Sequence, residues 1–307
     1  MNMAEVIHLR RLRGTVKENE SMARHVSWRA GGKAARLYVP ADREDLAEYL
    51  RSMPASEPIL MVGLGSNLLV RDGGFHGTVI LTHRPGLRPQ IQHGAIVAEA
   101  GVASPKIARF AARNDFEGAE FLSGVPGTLG GALAMNAGCF GSEAWDVIDD
   151  VLTIDRAGNF RQRPRSDFVV AYRSCELRSG GTIGTDEWFI CARLRLAKGH
   201  GPRARDKIRQ LLLRRIATQP LSLPNAGSVF RNPPDDYAAR LIESCGLKGL
   251  SCGGAQVSGK HANFIVNPKG EAKAADIEAL ITMVRDHVRA ATGVDLIPEV
   301  RIVGVSE

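Results

Sequence analysis

The sequence predicts a protein of the α+β class with two or three domains. Its length of 307 residues exceeds what a single small hydrophobic core usually organises. Strand-like and helix-like hydrophobic periods are mixed in three successive regions, residues 1–83, 84–200 and 201–307. The composition, with 44% apolar and 24% charged residues, is that of a globular chain rather than a disordered or fibrous one.

The first region is predicted to contain a strand, a helix and two further strands. Asp42 is the expected N-cap of an amphipathic helix over residues 43–53, because its short side chain can accept a hydrogen bond from the first helical turn. Pro58 opens an apolar strand through residues 60–62, and another strand is expected over 77–82.

The second region combines strands with one helix and a segment rich in glycine. A strand over 95–100 precedes a helix expected to start at Ser104-Pro105, a capping residue followed by proline at the first helical position. The glycine-rich segment covers residues 123–141. The remaining strands are predicted over 147–155, 167–173 and 188–197.

The third region is predicted to be mainly helical around one irregular loop. A basic helix runs from Arg203 to Arg215, and the loop that follows carries Ser228. Two more helices each end at a glycine, the usual helix stop, and a final strand carries Glu299. The predicted bounds are 235–245 ended by Gly246, 271–292 ended by Gly293, and 296–304 for the strand.

The charge balance favours anionic small molecules over nucleic acid as ligands. Lys and Arg number 40 against 33 Asp and Glu, which gives a net charge of +7. Aromatic residues make up only 6% of the chain, whereas nucleic-acid binders interleave them with a basic face. No apolar run approaches the roughly 20 residues of a membrane span. We therefore expect neither nucleic-acid binding nor membrane insertion.

The cysteines and the N-terminal segment predict a cytoplasmic protein without a metal site. The five cysteines are odd in number and show no CxxC spacing, which favours reduced thiols over a disulfide framework or structural zinc. The first residues, MNMAEVIHLRRLRG, lack the apolar core and the cleavage site of a secretory signal.

A short glycine loop, GLGSN at residues 63–67, directly follows an apolar strand. Backbone N–H groups in that position can cradle a phosphate, although a plain tight turn between strands has the same pattern. Leu68 replaces the third glycine of a Rossmann fingerprint, and no G-K-[ST] ends the segment. Residues 69–74 predict a turn rather than a helix.

The second glycine-rich segment, 123–141, is costly to order because glycine loses the most conformational freedom on folding. Such a segment suits backbone that passes very close to a flat or anionic ligand, or else a buried packing corner. Ser123, Thr128 and Asn136 supply short polar groups within it.

Residues 222–233 form the most informative loop, with Ser228 flanked by Gly227 and followed by Arg231. Asn225 and Gly227 exclude a regular helix or a long strand here. A serine so placed can give or accept a proton beside a bound ligand, although an ordinary glycine-bearing loop remains the plainer interpretation.

Several segments, taken in order, are similar to the UDP-N-acetylenolpyruvoylglucosamine reductase family. Any one of them is weak, but together they span roughly residues 20–304. The matching segments are HVSWRAGG (25–32), GLGSNLLV (63–70), GAEFLSGVPGTLGG (118–131), YR (172–173), NAGSVFRNP (225–233), AQVSGKHANFIVN (255–267) and PEVRIVG (298–304).

The resemblance implies an FAD-binding domain of the vanillyl-alcohol-oxidase (PCMH) type in two lobes, residues 1–83 and 84–200. A C-terminal α+β substrate-binding domain, 201–307, follows. It also implies noncovalent FAD and NADPH as co-substrate. The implied reaction reduces UDP-N-acetylglucosamine enolpyruvate to UDP-N-acetylmuramate in peptidoglycan precursor synthesis. The hydride passes from NADPH to flavin N5 and then to C3 of the enolpyruvyl group.

Three catalytic residues are implied by the same resemblance. Arg173 would grip the substrate carboxylate and stabilise the enolate that develops, since a guanidinium can make two parallel hydrogen bonds to a carboxylate. Ser228 would protonate C2, and Glu299 would assist as a relay or by hydrogen bonding. Read without the resemblance, Arg173 is a surface arginine at a strand end and Glu299 a salt-bridge partner in a strand.

The resemblance also implies which residues bind cofactor and substrate. Arg215 is similar to the family arginine that faces the flavin ring. The implied cofactor residues are Gly63, Leu64, Gly65, Ser66, Asn67, Leu68, Ser123, Val125, Pro126, Gly127, Thr128, Gly130, Gly131, Asn136, Gly138, Arg215 and Arg301. The implied substrate residues are Tyr172, Arg231, Asn232, Gln256 and His261; for His261 a purely structural role is the competing interpretation.

The chain departs from the family pattern in a few places. Arg231 and Thr218 stand where lysines are common, and Val26 replaces a usual threonine. The short interval between Arg173 and Ser228 resembles the compact type of the family, which lacks an inserted substrate-capping segment. Two other functions stay open on the sequence: a related FAD-dependent oxidase of an alcohol or lactone, and a noncatalytic protein that binds FAD or a UDP-sugar.

Overall fold

The computed structural model describes residues 12–307. Most of the segment used to predict the absence of a secretory signal lies outside the described residues. The helices are α1 (Arg43–Ser52), α2 (Ser104–Arg113), α3 (Leu129–Ala134), α4 (Gly201–Thr218), α5 (Ala238–Ser244) and α6 (Ala274–Thr292). Short 3₁₀ turns cover Met22–Arg24, Glu120–Gly124, Ala144–Val147 and Arg165–Asp167.

The strands alternate with these helices, as expected for a mixed fold. They are β1 (Thr15–Ser21), β2 (Lys33–Val39), β3 (Ile59–Val62), β4 (Leu68–Val70), β5 (Phe75–Leu81), β6 (Gln90–Gln92), β7 (Ala95–Glu99), β8 (Phe116–Glu117), β9 (Gly138–Cys139), β10 (Ser142–Glu143), β11 (Ile148–Asp155), β12 (Phe160–Pro164), β13 (Phe168–Ala171), β14 (Ser174–Leu177), β15 (Glu187–Leu194), β16 (Ala197–Lys198), β17 (Ser251–Cys252), β18 (Ala255–Val257), β19 (Ile265–Val266) and β20 (Arg301–Val303).

Two larger sheets and several small ones organise these strands. A four-stranded sheet has the order β1-β2-β5-β3, and an antiparallel five-stranded sheet has the order β12-β11-β15-β7-β6. A three-stranded sheet joins β17, β18 and β19. The pairs that matter most for the site are the hairpins β9–β10 and β13–β14 and the parallel pair β4–β20.

The described chain divides into two compact units, each built from several segments. Unit 1 comprises the described part of Met1–Glu18 with Arg36–Gly63 and Gly77–Leu211, and unit 2 comprises Asn19–Ala35, Leu64–His76 and Leu212–Glu307. The division into parts at residues 83 and 200 stays a prediction.

Each unit has its own hydrophobic core. In unit 1, Tyr38 of β2 stacks on Tyr49 of α1 with ring centroids 3.7 Å apart, beside Ile154 and Trp188. In unit 2, the apolar face of α6 packs against buried residues that include Trp28, whose indole N–H donates to the Ile265 carbonyl at 2.8 Å. That bond satisfies the polar end of a fully buried aromatic side chain.

Helix ends follow the local sequence signals in three of the four predicted cases, and one of the three is Gly246, which follows the Cys245 C-cap of α5 with φ of 70°. The Asp42 side chain accepts from the Asp45 N–H at 2.9 Å and starts α1, as predicted. Gly293 ends α6 in the left-handed conformation, also as predicted. The prediction that Ser104 caps its helix is wrong: Ser104 is the first helical residue, and the N-cap is Ala103.

Several predicted elements differ from those observed; for example, α6 begins at Ala274 rather than 271, and β15 ends at Leu194 rather than 197. Helix α5 begins at Ala238 rather than 235, because the Asn232 side chain accepts from the Ala238 N–H at 3.1 Å and caps it. Residues 69 and 70 form a strand and not a turn, since β4 pairs with β20. The final strand is confined to 301–303, and β13 ends at Ala171, which places Arg173 in a turn.

A buried ion pair sits within the five-stranded sheet of unit 1. Arg163 donates to both carboxylate oxygens of Glu187, at 2.5 and 2.8 Å, and Thr153 donates to the same carboxylate. Burial alone raises the pKa of Glu187, but the hydrogen bonds from Arg163 and Thr153 outweigh it and hold the pKa below its ordinary value.

We expect Glu187→Gln to lower the free energy of unfolding by about 3 kcal/mol, because the buried Arg163 then keeps only the partly exposed Asp167 carboxylate, 3.2 Å from its Nη1, as a counter-charge. Since the folded pKa is the lower one, the pair's contribution is complete above the unfolded value of about 4.3 and is lost as pH falls through the folded pKa. Denaturant unfolding between pH 3 and 7 measures both effects.

The matched control for this substitution is Glu48→Gln. Glu48 and Arg51 form an exposed pair at 3.4 Å, with 47% and 50% of their side chains accessible. The control is expected to change stability by less than about 0.5 kcal/mol. Equal losses for the two variants, or a loss at Glu187 that does not shrink at low pH, would contradict the assignment.

Among residues 12–307, no helix is long and apolar enough to cross a membrane. All five cysteines are thiols, and burial raises the pKa of Cys175 to about 12 and that of Cys191 to about 11. Within the same residues, no group of three or more His, Cys, Asp and Glu side chains could hold a metal ion.

Candidate active site

In unit 1, the end of β3 meets the glycine-rich segment. A Cβ added to Gly63 would lie 2.2 Å from Thr128 Oγ1, so the two backbones approach as closely as only glycine allows. Thr128 itself is buried, and its neighbour Gly127 accepts from the Ser104 N–H at 3.0 Å. Gly63, at the end of β3, and the start of α3 therefore form one surface within unit 1.

The start of α3 borders open space at one glycine. Gly130 packs against Ala100, where an added Cβ would lie 2.8 Å from the alanine Cβ. At Gly131 the nearest atom is Thr128 Oγ1 at 3.9 Å, and the residue is exposed. Within the described part of the chain, Ser104 Oγ beside this loop is buried and makes no hydrogen bond.

The other residues of the segment serve mainly to hold it. Ser123 donates to the Glu120 carbonyl at 2.6 Å, and the Glu120 carboxylate accepts from the Gly118 N–H at 3.1 Å. Val125 is buried whereas Pro126 is exposed. Of the predicted cofactor residues in this stretch, Pro126 and Gly131 thus face outward.

The turn of the β13–β14 hairpin carries Tyr172 and Arg173. Arg173 has a left-handed backbone, with φ of 56°, and its guanidinium lies 4.7 Å from the Tyr172 ring centroid. Its Nη1 and Nη2 donate to the carbonyls of Asn136 and Gly138 at 3.4 and 3.2 Å. Only 15% of the Arg173 side chain is exposed, so the head group is held rather than freely solvated.

Asn136 does more than line a loop. Its amide donates to Glu143 at 2.6 Å and to the Ala171 carbonyl at 3.1 Å, and its carbonyl oxygen Oδ1 accepts from the Trp145 N–H at 3.2 Å. These bonds use the Asn136 side chain to fix the protein's own backbone. Its predicted contact to the cofactor stays a prediction.

In unit 2, the remainder of the GLGSN loop packs against the segment that begins at residue 25. Gly65 has φ of 59°, and an added Cβ would lie 2.1 Å from the His25 carbonyl oxygen. Ser27 joins this loop to the Ser228 loop: its N–H donates to Gly65 O at 3.1 Å and its Oγ to Asn225 O at 2.6 Å. Leu64 is exposed and Leu68 is buried.

The Ser228 loop is held by asparagines on both sides of the serine. The Asn225 side chain accepts from the Gly227 N–H at 3.0 Å, an Asx turn that bends the chain just before Ser228. The buried Asn263 accepts from Val229 N and Phe230 N at 2.9 Å each and donates to Phe230 O at 2.8 Å. Ser228 is thus a half-buried residue on a fixed backbone.

Backbone pairing brings the Ser228 loop and Glu299 together. Glu299 N donates to Val229 O at 2.7 Å, and Arg231 N donates to Ile297 O at 2.9 Å. Asn67 completes the arrangement, because its Nδ2 donates to Glu299 O at 3.0 Å while its carbonyl accepts from Arg301 N at 3.0 Å. Three distant parts of the sequence therefore meet at Glu299.

Two predicted substrate residues in unit 2 carry buried polar atoms. Arg231 Nε and His261 Nδ1 are buried and have no hydrogen-bond partner within residues 12–307. Burial, followed by the charge of Lys248, lowers the pKa of His261, so its ring is neutral at pH 7. The ring packs edge-on against Phe264 at 4.7 Å. Unpartnered buried groups of this kind are suited to a ligand.

The other predicted residues of unit 2 have contacts within the fold. Asn232 caps α5, as described above, and Gln256 donates to Gly249 O at 3.4 Å and to Ser251 Oγ at 3.2 Å. Arg215 donates to Gln219 at 2.8 Å near the end of α4.

Comparison with known proteins decides the family. Residues 219–303 match the family "UDP-N-acetylenolpyruvoylglucosamine reductase, C-terminal domain", and residues 34–162 match "FAD binding domain". A UDP-N-acetylenolpyruvoylglucosamine reductase of Thiobacillus denitrificans is 56% identical, with 95% of this chain and 93% of the relative covered. The chain belongs to the UDP-N-acetylenolpyruvoylglucosamine reductase family.

Two further relatives agree with this assignment. The Methylococcus capsulatus UDP-N-acetylenolpyruvoylglucosamine reductase is 54% identical over 96% of this chain and 95% of its own length. The crystal structure of the Thermus caldophilus reductase has a TM-score of 0.77 at 29% identity, covering 95% of this chain and 99% of that one. The predicted fold class, a PCMH-type FAD-binding domain with a C-terminal α+β domain, is confirmed, and the chain is an FAD-containing oxidoreductase.

The residues present fit FAD. Unit 1 offers short polar side chains, the unpartnered buried hydroxyl of Ser104 and open space at Gly131, all within one glycine-rich surface. Backbone of this kind can approach a diphosphate closely. The positions of individual cofactor contacts stay predictions.

Sequence reasoning missed two residues that shape the site. Ser27 lies inside the HVSWRAGG segment but is not among the predicted site residues, and Glu143, which contacts Asn136, lies outside all the matching segments. The only sequence signal for both is a polar side chain beside a glycine-rich or matching segment, which also occurs at many positions outside a site.

We expect Gly131→Ala to weaken FAD binding at least tenfold without loss of stability. The added methyl group meets only Thr128 Oγ1 at 3.9 Å within the chain, and alanine is the better helix former by about 1 kcal/mol. Flavin fluorescence titration of the apoprotein measures affinity, and thermal unfolding of the apoprotein measures stability.

Gly259→Ala is the control, since an added Cβ there has no atom within 4 Å. It is expected to bind FAD normally. Unchanged FAD affinity in Gly131→Ala would mean that the cofactor does not pass the start of α3.

Proposed function

We propose that the chain catalyses the NADPH-dependent reduction of UDP-N-acetylglucosamine enolpyruvate to UDP-N-acetylmuramate, in the cytoplasm, for peptidoglycan precursor synthesis. Membership of the reductase family supports the reaction. The observation that carries the mechanism is the backbone hydrogen bond from Glu299 N to Val229 O, which fixes the segment that carries Glu299 directly beside the Ser228 loop.

FAD is proposed to bind the glycine-rich surface of unit 1, and when bound it supplies the hydride for C3 of the enolpyruvyl group. NADPH is proposed as the source of reducing equivalents. The unpartnered Ser104 hydroxyl and the open edge at Gly131 support the placement of the cofactor.

Arg173 is proposed to bind the substrate carboxylate. As C3 gains hydride, negative charge develops at C2 and spreads onto that carboxylate as an enolate. A guanidinium fixed toward the carboxylate stabilises this charge more than it stabilises the neutral alkene, which is what accelerates the step. The two carbonyl contacts and the low exposure of Arg173 support a preorganised head group.

Ser228 is proposed to protonate C2, with Glu299 as its assistant. A serine hydroxyl is a weak acid, so it needs an oriented environment to deliver a proton at neutral pH. Support comes from the fixed backbone on both sides of Ser228 and from the bond between Asn67 and Glu299. Arg231, with its buried Nε, is proposed to bind a phosphate of the substrate.

A steady-state assay tests the proposal. The purified protein with FAD should consume NADPH only when UDP-N-acetylglucosamine enolpyruvate is present, and mass spectrometry should find a product heavier than the substrate by two hydrogen atoms. NADPH oxidation that depends on oxygen and not on this substrate would contradict the proposal and favour an oxidase.

A further inference from the structure

The Arg173 guanidinium contacts a carboxylate of the protein itself, that of Glu143, which has no role in the proposed mechanism. Glu143 Oε1 lies 3.7 Å from Arg173 Nη1, and Glu143 Oε2 accepts from Asn136 Nδ2 at 2.6 Å. The Glu143 side chain is 35% exposed and that of Arg173 15%, so the pair is only partly screened by water. The Glu143 carboxylate thus contacts both Arg173 and Asn136, the residue whose backbone carbonyl accepts a hydrogen bond from Arg173.

The β9–β10 hairpin presents two of these acceptors, the Gly138 carbonyl and the Glu143 carboxylate. Glu143 is opposite Gly138 in the hairpin, and Gly138 O accepts from Arg173 Nη2 at 3.2 Å. A Cβ on Gly138 would lie 2.5 Å from Ser142 O and 2.9 Å from Glu143 Cγ, so the strands are packed as tightly as glycine permits. Movement of Glu143 would therefore move the carbonyl that holds Arg173.

Asn136 also contacts the backbone of the turn that carries Arg173. Asn136 Nδ2 also donates to Ala171 O at 3.1 Å, two residues before Arg173. Both Asn136 and Arg173 have positive φ, at 44° and 56°. Left-handed backbone at two non-glycine residues is costly and is typical of sites where side-chain direction matters.

We propose that Glu143 is a positioning residue for Arg173: it fixes the direction of the guanidinium through one direct contact and through Asn136. This inference rests on the proposed role of Arg173 with the substrate carboxylate. Its charge also partly offsets that of Arg173, which weakens attraction for the substrate in the ground state. We therefore expect that removing the Glu143 charge slows the reaction with substrate and does not weaken substrate binding.

The test is Glu143→Gln, which keeps an oxygen acceptor for Asn136 but removes the charge. With flavin reduced beforehand, oxidation by UDP-N-acetylglucosamine enolpyruvate should slow about 10- to 100-fold, as expected when a reacting group is misplaced by part of an ångström. The dissociation constant of the substrate, titrated on the oxidised protein, should stay the same or fall. Flavin reduction by NADPH should stay within about twofold of the parent.

Glu176→Gln is the matched control, because Glu176 is an exposed carboxylate on β14, three residues from Arg173, and contacts Ser174. It should leave both half-reactions unchanged. Glu143→Asp serves as a second variant: it restores the charge on a shorter side chain and should recover part of the lost rate. No recovery by Glu143→Asp together with weaker substrate binding in Glu143→Gln would overturn the inference.

A double-mutant cycle with Arg173→Lys separates this inference from the proposed function. If Glu143 acts through Arg173, its substitution should have little further effect in the Arg173→Lys background. Equal effects in both backgrounds would overturn the positioning role while leaving the proposed function intact. Near-normal turnover of Arg173→Lys alone would instead overturn the role of Arg173, on which this inference depends.

Discussion

Ser228→Ala is expected to leave reduction of the flavin by NADPH intact and to slow its oxidation by the enolpyruvyl substrate by about 10²- to 10⁴-fold, the range for loss of a general acid. The hydroxyl is needed only after hydride has reached C3, when C2 takes up a proton. Rapid-mixing absorbance measurements of each half-reaction under anaerobic conditions distinguish the two steps.

Ser222→Ala is the matched control, since Ser222 is an exposed serine at the start of the same loop. It should behave like the parent in both steps. The assigned role of Ser228 would be wrong if the first half-reaction collapsed in Ser228→Ala while FAD remained bound, or if both half-reactions stayed normal.

Arg173→Lys is expected to reduce the rate of the second half-reaction by about 10²- to 10³-fold, as for the loss of a preorganised donor to a developing oxyanion. Lysine keeps the positive charge and has the same cost in the left-handed backbone of the turn. The variant therefore removes only the bidentate hydrogen bonding of the guanidinium to the substrate carboxylate, which an ammonium group cannot reproduce. Single-turnover kinetics with substrate in excess measures it.

Arg178→Lys is the control for that substitution. Arg178 is an exposed arginine near the same hairpin and donates to the carbonyls of Ser166 and Phe168 at 3.1 and 3.5 Å. It should retain normal turnover. Equal activity of Arg173→Lys and Arg178→Lys would remove Arg173 from the catalytic set.

Elements fixed by local chemistry could be predicted from the sequence. The Asp42 cap, the proline near the start of α2 and the left-handed Gly293 all depend on residues within one helical turn, and all occur near the predicted positions. The approximate extent of several strands, among them β3, β5, β7 and β11, followed from the same local patterns.

Features set by long-range contacts could not be predicted in the same way. Strand β4 exists because it pairs with β20, more than two hundred residues later, so local sequence suggested only a turn. The start of α5 depends on the Asn232 side chain across a loop. The buried Arg163–Glu187 pair likewise joins two strands that are not adjacent in sequence.

The candidate site shows the same contrast. Ser228 and Arg231 stood out because a glycine-bearing loop isolates them, whereas Glu299 could be selected only through the family resemblance. The motifs could not reveal which tertiary contacts position Ser228, Glu299 and Arg173. The bond from Asn67 to Glu299, the asparagine that fixes the Ser228 loop and the carboxylate beside Arg173 all arise from tertiary contacts.

The most direct test of the proposed reaction is an anaerobic spectrum of the purified protein during one turnover. We expect bound flavin that bleaches when NADPH is added and regains its absorbance when UDP-N-acetylglucosamine enolpyruvate follows. Bleaching without recovery would contradict the proposed substrate, and a protein that binds no flavin even with added FAD would contradict the entire assignment.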